Sequence, residues 1–186
     1  DGMGKALDLF ISFIGESGLI EKSYNYIFID WLNVDGFNMF APPKNLGQSV
    51  VTINFYDALM CGSYLSNEID NVRLANKYLR TAKKLKKAIN TLLFDKERGL
   101  YIEGLTTKDE DQPLKTNKPD VTDKIYYRKH ANIVAVASGL LTKSQARKVV
   151  NKIFKDPLIC DLAVQPYFDH YLFEAIHYAD LDKKYA

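Results

Sequence analysis

Segments that are apolar nearly all round alternate along this chain with segments apolar on one stripe only. That alternation constrains the fold more than any single motif. Residues 50–65 (VVTINFYDALMCGSYL) offer almost no polar face. The next segment, 72–93, keeps Ala75, Tyr78, Leu79, Ala82, Leu85, Ile89 and Leu92 at helical spacing, with lysines and arginines between them. The pattern repeats: 131–141 (ANIVAVASGLL) is apolar, 143–154 is striped, and 167–179 is mostly apolar again. A helix buried all round followed by one buried on a stripe is what a double layer of helices requires. The expected fold is therefore all-α, an α/α toroid whose inner helices lie near 48–65, 122–141 and 166–179.

The rest of the chain fits around that frame. A first helix is expected over 3–17, with Leu7, Phe10, Ile11 and Ile14 on one side. Glu97-Arg98-Gly99 reads as a turn before a short strand, Leu100-Tyr101-Ile102-Glu103, so one loop carries a small β-hairpin. Thr142 with Gln145 has the spacing of a capping box at the start of an outer helix, and Asp156-Pro157 ends that helix. Nothing marks an internal boundary, so residues 1–186 read as one domain.

Composition excludes several classes. The formal charge of +2 is too mild to argue for nucleic acid, and Lys83, Lys84, Lys86 and Lys87 read as the solvated face of an amphipathic helix. No apolar run reaches the roughly 18 residues of a membrane span. Cys61 and Cys160 sit in apolar surroundings and read as free buried thiols without metal-ligand spacing. His170 and His177 are two helical turns apart, too far to share an ion, so no metal and no cofactor is expected. No segment tells the compartment.

The connection lengths place a site. Links into the apolar helices run roughly 30, 28 and 11 residues, whereas links out of them are about 4 each. Antiparallel neighbours then put every long loop at one end of the layer, over the N-termini of the inner helices, where a ligand would bind. Asp30, Trp31, Asn33, Thr52, Asn54, Tyr126, Tyr127, His130, Gln165, Tyr167 and Phe168 fall at that end. Aromatic rings beside amides, hydroxyls and carboxylates suit a carbohydrate, whose C–H faces and hydroxyls need both.

An ordered set of residues resembles a known family. Phe28-Ile29-Asp30-Trp31 is similar to the Tyr/Phe-x-Asp-Trp signature of α-L-rhamnosidase catalytic domains, within the six-hairpin glycosidases. The likeness continues through 54–59 (NFYDAL), the helix leading to Leu93-Phe94-Asp95, and Gly99-Leu100-Tyr101. It resumes at His130-Ala131-Asn132-Ile133 and ends at Gln165-Pro166-Tyr167-Phe168 with Phe173-Glu174-Ala175. The resemblance implies about half of a twelve-helix barrel, from an inverting glycoside hydrolase, with Asp30, Trp31, Tyr127, His130, Tyr167 and Phe168 binding substrate. It also implies that both catalytic residues are missing. The family's acidic Asp-Cys-Pro-x-Arg-x-Glu motif occurs nowhere in the chain, and the chain stops before the Trp-Glu element that carries the base. Hydrolysis with inversion needs both carboxyl groups.

Each candidate also has a plainer reading. Asp30 can cap the following turn, Trp31 can fill the core, and His130 can be a structural hydrogen-bonding residue. Tyr167 and Phe168 can be core or cavity wall, and Glu174, inside an apolar helix, calls for a buried partner. Two further functions stay open: another toroidal sugar enzyme (glycosidase or epimerase), or a non-catalytic helical module binding carbohydrate or protein. A half-barrel would leave its terminal flanks (Phe10, Phe13, Ile14; Leu172, Phe173, Ile176) without neighbours, to be covered by self-association or by the missing half.

Overall fold

The computed structural model describes residues 2–21, 29–30, 33–34, 37–38, 48–105 and 125–185. Its elements are α1 (Gly2–Ile11), β1 (Asn33–Val34), β2 (Phe37–Asn38), α2 (Ser49–Glu68) and α3 (Val72–Ala88). After these come a π-helical turn (Ile89–Leu93), β3 (Phe94–Asp95), β4 (Leu100–Tyr101), α4 (Lys129–Ala137), α5 (Lys143–Lys155), α6 (Pro166–Tyr178) and α7 (Asp182–Tyr185). The strands form two antiparallel pairs, β1 with β2 and β3 with β4. The fold is all-α. Among the described residues no helix is long and apolar enough to cross a membrane.

Three helices form a row. α4 packs against α2 on one side and α6 on the other, α3 backs α2, and α5 backs α4 and α6. The tight links 69–71 and 138–142 make α2–α3 and α4–α5 antiparallel hairpins. Local chemistry sets their ends. Asn71 Oδ1 accepts the Leu74 amide at the start of α3, and Thr142 with Gln145 closes the expected capping box on α5. The α5 hairpin is tied to the end of α6 by Arg147, whose Nε donates to the Ala179 carbonyl and whose Nη2 pairs with Asp180 at 2.7 Å.

The structure corrects several expectations. Only α4 is buried all round, with every residue from His130 to Val136 buried. α2 and α6 each keep an open face, and α6 is less buried than its neighbour α5. Tyr64 and Leu65 of α2 are 63% and 48% exposed, and Phe173 of α6 is 57% exposed. Cys61 lies on the open face of α2 and is exposed, and Cys160 is only half-buried. Glu174 is exposed as well and needs no buried partner. Of the six residues expected on bare flanks, Phe10 and Phe173 are exposed, Ile14 and Leu172 are half-buried, and Phe13 and Ile176 are buried.

Boundaries moved for identifiable reasons. α1 stops at Ile11 rather than Ser17, because the chain folds back through Gly18 (φ +80°) to bridge Ile14 with Ile20, and the Glu21 amide donates to the Phe13 carbonyl. α4 starts at Lys129 rather than Thr122, since Tyr127 bridges Ile102 and Arg128 is extended; residues 121–124 lie outside the described set. Leu92, expected on the buried stripe, is exposed, and Leu93 is buried in its place. The π turn explains that swap, because its wider i→i+5 loop holds one more residue per turn and slips the stripe by one.

Candidate functional site

The N-termini of α2, α4 and α6 meet at one end of the row, with Gln48, Arg128 and Gln165 at their cap positions. The β3–β4 hairpin links them. Asp95 Oδ1 accepts the amides of Glu97 and Arg98, and Gly99 (φ +64°) completes the turn that returns the chain as β4. The Tyr101 amide then donates to Asn132 Oδ1 at 2.8 Å, while Asn132 Nδ2 donates to the carbonyls of Tyr101 and Arg128. Beyond β4, the Ser49 amide donates to the Glu103 carbonyl and the Glu103 amide to the Tyr126 carbonyl, both at 2.8 Å.

Glu103 is the buried carboxyl of this end. Its Oε1 accepts from Gln48 Nε2 at 2.8 Å, and Gln48 uses its own Oε1 to accept the Val51 amide. Burial raises the pKa of Glu103 above the usual carboxylate range, against His130, Arg128 and the hydrogen bond from Gln48, which pull it down. Arg128 is buried too, with its guanidinium over the Tyr126 ring and Nη1 donating to the Tyr127 carbonyl.

Asp30 is 0% exposed. Its Oδ2 stands 2.8 Å from His130 Nε2 and accepts the Gln165 amide at 3.1 Å, which ties the segment at Ile29–Asp30 to α4 and α6. Two helix N-termini with their unpaired N–H groups favour a carboxylate there. The His130 ring lies edge-on to Phe168, centroids 4.4 Å apart, and Tyr167 continues the aromatic group at 6.1 Å from Phe168 and from Tyr171.

The six predicted site residues divide by exposure. Asp30, His130 and Phe168 are buried and stand behind the surface, Tyr127 is half-buried, and Tyr167 is 57% exposed. Tyr127 spends its hydroxyl on Asp95 Oδ2 at 2.6 Å, and that bond, with the amides of Arg98 and Glu97, holds Asp95 below the usual carboxylate range. Tyr167 is pushed up by burial and by Tyr171, and it feels the charge of Asp30, so the exposed ring and the buried carboxylate belong to one region. Trp31 lies outside the described residues. Asn54 is exposed and Thr52 buried.

Sequence reasoning missed Gln48, Glu103 and Arg128. A glutamate ending an otherwise apolar strand was the available signal for Glu103. The raised pKa of Glu103 is the property a general acid needs, yet both its oxygens are enclosed, so it cannot reach a substrate as placed. Among the described residues no three His, Cys, Asp or Glu side chains cluster to hold a metal. This end offers aromatic surface over a buried, charged frame.

The fold is that of a helical domain seen in glycoside hydrolases. Two solved structures superpose over 96% of the chain. One, a rhamnosidase from Klebsiella oxytoca with rhamnose bound, gives a TM-score of 0.68 at 19% identity. The other, a GH78 family rhamnosidase of a Bacillus species, gives 0.74 at 18% identity. The chain spans 29% and 17% of the length of those two proteins. No family model and no curated protein matches the sequence.

Proposed function

We propose that this chain is part of a glycoside hydrolase, an inverting α-L-rhamnosidase in which it supplies sugar-binding loops and neither catalytic carboxylate. The observation that carries the reading is the superposition of nearly the whole chain on two rhamnosidases that are several times longer. The ordered motifs around Asp30, His130 and Gln165 add to it. On this reading the row α2–α4–α6 is an arc of inner helices from a six-hairpin toroid. The open faces of α2 and α6 are covered by the rest of that barrel, or in isolation by another copy of the chain.

The six site residues then have two roles. Tyr167 and Trp31 offer ring faces to the sugar, with Tyr127 beside them. Phe168, with His130 and Asp30 behind it, backs the Tyr167 ring. The two carboxyl groups that inversion requires come from outside this stretch.

The test uses the chain itself with L-rhamnose and an aryl α-L-rhamnoside. The expected result is rhamnose-induced NMR shifts at Tyr167 and its neighbours, with no hydrolysis. Hydrolysis by this chain would overturn the claim that it lacks the catalytic pair. Shifts with a different sugar and none with rhamnose would move the assignment to another toroidal sugar enzyme. Sedimentation velocity reports the open faces: concentration-dependent association is expected, and its loss in a Leu65→Glu, Phe173→Glu double variant ties it to these faces.

A further inference from the structure

The buried groups between the α2 and α6 caps have a donor order that the local contacts impose. Gln48 Oε1 is occupied by the Val51 amide, so the Gln48 amide nitrogen faces Glu103 Oε1. At the other end Asp30 Oδ2 already accepts the Gln165 amide, and a carboxylate can only accept, so His130 Nε2 must carry the hydrogen. A neutral imidazole protonated at Nε2 has a bare acceptor at Nδ1. His130 Nδ1 and Glu103 Oε2 are both buried, and neither has a hydrogen-bond partner among the described residues. The His130 and Glu103 side chains lie within electrostatic reach of each other.

We propose that Gln48, Glu103, His130 and Asp30 form a one-way relay in which Glu103 donates its carboxyl proton toward His130 Nδ1 and so holds Nε2–H on Asp30. A water bridging the two atoms gives the same donor order. Each group then has a partner, and no uncompensated charge sits at Glu103. Burial, which favours the neutral carboxyl, supports this order. The titratable groups facing Glu103 are His130 of α4 and Arg128 at its cap position; from the start of α2 comes the neutral Gln48. The competing order has an ionised Glu103 against Arg128 and a doubly protonated His130. Glu103 is thus a positioning residue for the segment at Asp30. Only this last step, its bearing on sugar binding, rests on the proposed function.

Histidine-selective ¹⁵N NMR of the chain at neutral pH decides the donor order. The relay requires His130 neutral, protonated at Nε2, with Nδ1 accepting a hydrogen bond. A doubly protonated His130, or the Nδ1–H tautomer, would overturn it in the wild-type protein alone, whether or not any variant folds. Glu103→Gln retains a donor and an acceptor and should preserve the tautomer. Glu103→Met should lose the Nδ1 hydrogen bond, and an unchanged Nδ1 signal there would also overturn the relay. In a rhamnose titration Glu103→Met should bind about fivefold more weakly, the scale of one lost hydrogen bond, with Glu103→Gln within about twofold. Absence of rhamnose binding in every form would sink the functional reading while the NMR still decides the relay.

Discussion

α4 and α2 are equally apolar in sequence and differ in what surrounds them. α4 has α2 on one flank, α6 on the other and α5 behind, and its residues from His130 to Val136 are all buried. α2 has α4 on one side, α3 behind and α1 against it through Phe10 and Phe55, yet the stripe Asn54, Asp57, Ala58, Cys61, Tyr64, Leu65 still faces outward. α6 shows the same contrast through Tyr167, His170, Phe173 and His177. Apolar content therefore marks a helix as suited to burial on all sides. Whether it is so buried depends on whether its neighbours cover every face along its length.

The sharpest break in that comparison is at the core. Ile133→Ala in α4 should cost about 2–5 kcal/mol in chemical denaturation, because the cavity cannot refill from three packed sides. At concentrations where the chain is monomeric, Leu65→Ala and Phe173→Ala should cost under about 0.5 kcal/mol. Equal losses would mean the open faces are covered in solution. The same residue type gives the next test. Asn132→Ala leaves the Tyr101 amide and two carbonyls without their partner inside the core and should cost roughly 2–3 kcal/mol, whereas Asn54→Ala on the open side of α2 should be near neutral.

Binding separates rings that face outward from those that support. Trp31→Ala, at a position read from sequence alone, should weaken rhamnose binding by about 1–3 kcal/mol if its ring is a stacking platform, and Tyr167→Ala by about 0.5–1.5 kcal/mol with stability unchanged. An unaltered affinity in a folded variant would leave Trp31 only a core role.

The smallest effect expected is in pH dependence. Glu103 has its pKa raised in the folded state, so its contribution to stability is complete below the usual carboxylate range. That contribution declines as pH rises through the folded-state value, because the unfolded chain gives up the proton more readily. Against Glu103→Gln, the wild type should therefore lose ground from acid toward neutral pH. A constant difference between the two would mean that Glu103 ionises as readily folded as unfolded.

Much of this was legible because it is local. The stripe Ala75–Tyr78–Ala82–Leu85 put its buried face where the sequence placed it, and the Thr142–Gln145 box closed as its spacing implied. The turn at Glu97–Gly99 also formed as read. The slip from Leu92 to Leu93 was not legible, since a π turn keeps the apolar composition and changes only the count per turn. Of the site, the N-terminal end of the helix row was read from loop lengths. The sorting of Asp30, His130 and Phe168 behind the surface and Tyr167 at it was not.

By itself the sequence determined the helices, their caps and the order of apolar and striped faces. Those follow from hydrogen bonds and side-chain periods that close within about four residues. Only the tertiary structure decided that Asp30 meets His130, 100 positions away, and the Gln165 amide, 135 positions away. It likewise decided that Glu103 is enclosed beside Gln48 and Arg128, and that the neighbours of α4 cover it from His130 to Val136. Burial, charge and acidity are set by the groups that come near, and no window along the chain contains them.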